Sequence, residues 1–103
     1  MMNAEDRYLI AVEKSETGYS AYSPDVPGCI ATGETIEETI SNMRSALMFH
    51  LQGLVEDGEE IPGARGIESY LDAERDSAGE EYFLTHIAIS SVSPADIDLA
   101  PVA

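Results

Sequence analysis

A chain of 103 residues with 44% hydrophobic side chains has room for one modest core and not for two. Its 20 acidic residues against five Lys and Arg give a formal charge of −15, and the bases (Arg7, Lys14, Arg44, Arg65, Arg75) are scattered singly. Phosphate backbones are gripped by clustered Lys and Arg, so direct nucleic-acid binding is disfavoured, and the acidity fits either plain solubility or docking onto a basic partner. The single Cys29 permits no internal disulfide, the N-terminal Met1 to Asp6 carries acid where a secretory signal needs base, and no apolar run is long enough to span a bilayer; a cytoplasmic protein is expected.

Arg7 to Lys14 is apolar on both faces over most of its length, the pattern of a strand covered on both sides of a sheet. A short loop ending at Gly18 and the alternating Tyr19 to Ser23 complete an antiparallel hairpin. In Ser23-Pro24-Asp25-Val26-Pro27-Gly28-Cys29, Pro24 and Pro27 fix φ and remove two donors, while Gly28 can take positive φ. Asp25 reads either as a cap of its own turn or as a contact to a partner. Cys29 to Thr32 leaves room for a short edge strand, with Cys29 a small buried apolar residue.

Thr35-Ile36-Glu37-Glu38 has the form of a capping box and opens a helix expected from about Ile36 to Asp57. Ile36, Ile40, Met43, Leu47, Leu51 and Leu54 form its apolar stripe. Phe49 falls opposite that stripe with Met48 on its flank, which makes this pair the candidate surface for self-association.

From Glu56 to Glu81 the chain is rich in acid, with Arg65 and Arg75 its only bases, and reads as a connection. Within it Ile67, Tyr70 and Leu71 are spaced for a short helical turn laid on the fold. Tyr70 beside Glu68, Asp72 and Glu74 combines an aromatic anchor with a local negative field, the candidate surface for a basic partner. Tyr82 to Val92 is the longest β-rich run and is expected to be a central fourth strand, parallel to the first through a right-handed crossover. Residues 1–92 then form one domain and 93–103 a tail.

No chemistry stands out. His50 and His86 have no partner at metal-ligand spacing, and there is neither a nucleophile elbow nor a glycine-rich phosphate loop. The order of three strands, helix and strand is that of half a ribonuclease H, but Tyr82 to Val92 carries no acid for two-metal catalysis. The expectation is a non-enzymatic protein with no metal and no cofactor.

Tyr8 to Val12, Gly18-Tyr19-Ser20-Ala21-Tyr22, Pro24-Asp25-Val26-Pro27-Gly28-Cys29, Gly33-Glu34-Thr35-Ile36-Glu37-Glu38 and Glu59-Glu60-Ile61-Pro62 together resemble the HicB-like antitoxin family. The resemblance covers residues 7 to 62 with specific motifs and the closing strand more loosely. It implies an α+β, degenerate ribonuclease H-like β-β-β-α-β fold, a mixed four-stranded sheet with one long helix on one face. It further implies a homo-oligomer that binds and blocks a small basic HicA-type toxin, a ribonuclease of messenger RNA. Full-length members carry a C-terminal DNA-binding module, in whose place this chain has the tail from Ser93 to Ala103. The alternatives are an RNA-binding or RNA-processing module and an orphan interaction domain of the same fold.

Overall fold

The structure is a computed structural model that describes residues 7–77 and 81–89. Its elements are β1 (Arg7–Lys14), β2 (Tyr19–Tyr22), β3 (Ile30–Gly33), α1 (Ile36–Glu56), α2 (Ile67–Ser77) and β4 (Tyr82–Ala88). The strands form one sheet in the order β3-β2-β1-β4, and all its pairings are antiparallel.

The double-sided apolar pattern of β1 finds cover on both faces. Tyr8, Ile10 and Val12 join Ala21 beneath Met43, Leu47 and Leu51 of α1. Leu9 and Ala11 point the other way, onto Ala73 of α2, with Tyr22 and Leu84 alongside. Met43, Leu47 and Leu51 are fully buried, each contributing roughly 1.5–3 kcal/mol of transfer free energy before entropy is subtracted.

The start of α1 is fixed locally. Thr35 Oγ1 accepts from the Glu38 amide at 3.0 Å, the first half of the capping box, and Glu38 Oε1 reaches back one residue past the cap to accept from the Glu34 amide at 3.0 Å. Gly33 lets β3 end directly against this first turn, since a Cβ there would lie 2.6 Å from Thr39 Oγ1. The helix ends at Glu56, capped by Asp57, within a residue of where the stripe places it.

Two sequence expectations about β4 are corrected. It runs antiparallel to β1, so the sheet is not mixed, and it lies at an edge of the four-stranded order. The reason is that two helices, not one, intervene. β3 ends beside the Lys14 end of β1, and α1, about 30 Å long at 1.5 Å per residue, carries the chain to the Arg7 end. There Tyr8 Oη donates to the Pro62 carbonyl at 2.6 Å, which holds the connection below the sheet. α2 then returns along the opposite face, so Tyr82 enters opposite Glu13 and runs back down β1. A single crossover would have delivered a parallel strand. Within the expected Tyr82 to Val92 strand, Ile89 already lies beyond β4; residues 90–92 and the tail are outside the described residues.

α2 brings a third correction. The spacing of Ile67, Tyr70 and Leu71 foretells a helix, and a helix forms, but with the opposite face inward. Ser69 and Ala73 are buried, whereas Ile67 is 74% and Leu71 58% exposed. Small residues let α2 lie close against Leu9 and Ala11.

Candidate functional site

The proline turn places Asp25 under α2, and its carboxylate organises that face of the molecule. β2 ends its pairing with β1 at Tyr22 opposite Ala11. Beyond that point the Leu9 amide donates instead to Asp25 Oδ2 at 2.9 Å. Asp25 Oδ1 accepts from the Arg65 amide at 3.1 Å and from Ser69 Oγ, and the Arg65 guanidinium Nε stands 3.5 Å away. Asp25 is buried, so these donors are what makes its charge tolerable there. The carboxylate is thus neither a simple turn cap nor an exposed contact: it joins β1, the proline turn and the start of α2. Gly28 sits at φ 86°, as the turn requires, and Cys29 is buried with its thiol pushed up by that burial.

The same carboxylate shapes Tyr8. Burial first, and then the nearby Asp25 charge, raise its phenol to about 12.

Outside this hub lies the surface anticipated for a partner. Glu68, Tyr70 and Glu74 are exposed along α2. Tyr70 Oη and His86 Nε2 share a hydrogen bond at 2.9 Å that ties α2 to β4. Burial, and behind it the Arg7 charge, lower the His86 pKa against an opposing pull from Asp25. Asp72 differs from its acidic neighbours: it pairs with Arg65 at 2.6 Å and Arg75 at 2.5 Å. The Arg65 hydrogen bond, helped by Arg75, holds its carboxyl below the usual range. Asp72 therefore helps fasten the Arg65 side chain, whose other contacts are the Pro24 carbonyl at 2.8 Å and the Asp25 carboxylate.

Between α2 and the β2–β3 edge runs a groove of about 390 Å³. Tyr22, Pro24, Pro27 and Ile30 form its apolar lining, and Glu13 and Asp76 are among its acids. Exposed Ile67, Leu71 and Ile30 are among the apolar residues that sequence reasoning did not assign to a surface. The apolar triplet was visible, but its spacing gave no sign of which face would be inward. A larger hollow, about 480 Å³, opens at the other end between the β1–β2 loop and the start of α1, lined by Ser15, Thr17, Thr32 and Glu38 among others, and has no comparable apolar row.

Phe49 and Met48 part company. Phe49 is 81% exposed on the outer face of α1, while Met48 is half-buried against the main core. Among the described residues no three His, Cys, Asp or Glu side chains converge in a way that could hold a metal ion, and no helix is long and apolar enough to cross a membrane.

Residues 8–99 match the family described as HicB-like antitoxins of bacterial toxin-antitoxin systems. Over 65 residues the chain is 43% identical to an uncharacterized protein from the rep-hol intergenic region of Haemophilus phage HP1, covering 63% of this chain and 49% of that one. It is 34% identical over 61 residues to Antitoxin HicB 2 of Photorhabdus laumondii, covering 59% of this chain and 44% of that one. The match thus spans just under half the length of both relatives. Among solved structures, the Burkholderia pseudomallei antitoxin HicB is similar at 33% identity and TM-score 0.65, over 90% of this chain and 68% of that one. A chain of a HicA3 and HicB3 toxin-antitoxin complex is similar at 27% identity and TM-score 0.64, over 78% of this chain and 93% of that one.

Proposed function

The chain belongs to the HicB-like antitoxin family, and from that membership we propose that it is a non-enzymatic, cytoplasmic antitoxin that binds and neutralises a small basic, mRNA-cleaving toxin of the HicA type. The observation that carries this reading is the outer surface of α2. Exposed Ile67, Tyr70 and Leu71 stand among Glu68 and Glu74 on a chain of charge −15. Acid alone steers an encounter, whereas affinity needs a few apolar or aromatic anchors that lose water on contact. α2 offers both within three turns. The solved HicA3 and HicB3 complex, which contains a chain of similar fold, supports a toxin as the partner class.

In this reading Glu68, Tyr70 and Glu74 meet the partner directly, and Asp72 acts from behind by holding Arg65. The test is association kinetics with a cognate basic toxin at two salt concentrations, together with rescue of growth on co-expression. Glu68→Lys combined with Glu74→Lys slows association about tenfold at low salt and flattens its salt dependence. Ile67→Ala combined with Leu71→Ala speeds dissociation while leaving the association rate nearly unchanged. Toxin binding unaffected by either pair removes α2 as the contact surface, and failure to rescue growth by the unmodified chain removes the antitoxin reading.

A further inference from the structure

One buried polar atom beside the Asp25 hub has no protein partner. Arg7 opens β1 two residues before Leu9, and so lies on the face of the sheet that α2 covers. Its Nε–H is shut off from solvent, and among the described residues no acceptor meets it. A buried donor left in that state is costly, and native interiors keep very few of them.

Arg7 borders a small cavity of about 40 Å³ beneath the start of α2, lined also by Leu9, Asp25, Ser69, Tyr70 and His86 among others. Opposite charges share this cavity without touching, because the Asp25 carboxylate forms its ion pair with Arg65 and not with Arg7. The carboxylate still has capacity. Oδ1 accepts from the Arg65 amide and from Ser69 Oγ, whereas Oδ2 accepts the Leu9 amide alone among the described residues. A carboxylate oxygen has roughly two lone-pair directions, so Oδ2 can take a second donor. The His86 ring, which borders the same cavity, feels both charges: burial lowers its pKa first, Arg7 adds to that, and Asp25 opposes it.

We propose that this cavity is a water site, in which an ordered water accepts a hydrogen bond from Arg7 Nε and donates one to the Asp25 carboxylate. The space suffices, since one water needs roughly 10–15 Å³ and the cavity has about 40 Å³. The chemistry selects the occupant. An anion would satisfy Arg7 but stand against the Asp25 carboxylate, in a chain of charge −15. A cation would satisfy Asp25 and leave the Arg7 donor pointing at it. A molecule that both accepts and donates serves the two ends at once, and water is the one small enough. The bridge brings the Arg7 charge to bear on a carboxylate that the Arg65 guanidinium approaches only to 3.5 Å.

The experiment joins a high-resolution crystal structure of the full chain, with one crystal soaked in bromide, to oxygen-17 relaxation dispersion, which counts waters held inside the protein in solution. The expected result is one density peak within about 3.2 Å of both Arg7 Nε and an Asp25 oxygen, with no anomalous signal from bromide. In solution Arg7→Met, which keeps the stem and removes the donor, lowers the count of long-lived waters by about one. If that variant does not fold, as read by circular dichroism, the density and the water count of the unmodified chain decide alone. The proposal is overturned by bromide at the peak, which makes the site an anion site, or by the cavity found empty or filled by the chain's own terminal residues. It is equally overturned by an Arg7 side chain turned to solvent or paired directly with Asp25, by an unmodified chain that holds no long-lived water, or by a folded Arg7→Met whose water count is unchanged.

Discussion

Replacing Asp25 by Asn changes one oxygen for an NH₂ group and should be among the most damaging conservative substitutions in the described fold. The carboxylate accepts from the Leu9 amide on one oxygen and from the Arg65 amide and Ser69 Oγ on the other. An amide side chain must set its NH₂ against one of these two groups of donors. Either way one N–H, buried at Leu9 or part-buried at Arg65, loses its acceptor, at about 1–3 kcal/mol, and the bonds that remain lose the assistance of a charge, at about 1 kcal/mol more each. The sum is about 3–5 kcal/mol against a total stability of roughly 5–15 kcal/mol for a domain of this size. With a urea slope of about 1.5 kcal/mol/M, the unfolding midpoint drops by about 2 M or more, and Asp25→Ala does at least as much. Ser69→Ala removes a single donor and costs only about 1 kcal/mol. A midpoint within about 0.5 M of wild type for Asp25→Asn would refute the reasoning, since the carboxylate could not then be holding three segments together.

Gly28→Ala, at φ 86° with nothing within 4 Å of the added Cβ, costs about 1–2 kcal/mol of backbone strain alone, measured as a lower melting temperature with unchanged toxin binding. Leu47→Asp places a charge in the centre of the α1 core and abolishes cooperative unfolding, read by circular dichroism; Leu47→Ala costs about 2–5 kcal/mol and stays folded. Tyr8 has a folded pKa of about 12 against an ordinary value of 10.0, so its neutral form is the one that the fold favours. Stability from this group is fully present below pH 10 and is lost as pH rises toward 12. The urea midpoint of wild type therefore falls more steeply across that range than the midpoint of Tyr8→Phe. Equal slopes would discard that account of Tyr8.

The elements whose side chains speak for themselves were readable from the sequence. β1 shows both of its faces in five consecutive apolar residues, and the structure covers both. α1 is bounded by a capping box and filled by one stripe, and its ends fall where these place them. What was not readable depends on groups far apart in sequence. Nothing near Asp25 indicates that β2 will stop at Tyr22 and leave the Leu9 amide to be met from sixteen residues away. Nothing in Ile67, Tyr70 and Leu71 indicates that a buried carboxylate will draw Ser69 inward and so turn those three toward solvent. The direction of β4 follows from the same hub: once Arg65 and Ser69 are tied to Asp25 at the Arg7 end of the sheet, α2 can only lead the chain back. For the proposed partner surface, composition gives only a run of acids, and the fold distinguishes Asp72, bound to two arginines, from Glu68 and Glu74, which have no ion pair among the described residues.

α2 is attached to the rest of the molecule through Ala73, Ser69, the Arg65 contacts and the Tyr70–His86 bond. So thin an attachment makes α2 a cooperative unit that opens below the global unfolding energy, exposing Leu9 and Ala11 together with a length of unfolded backbone. A protease that cleaves such openings samples their population, not the stability of the whole domain. Any ligand seated on closed α2 depresses that population by the factor 1 + [L]/Kd, so the lifetime of the chain rises with the amount of partner bound to it. The helix that would hold the partner would then also report, through its rate of turnover, how much partner there is.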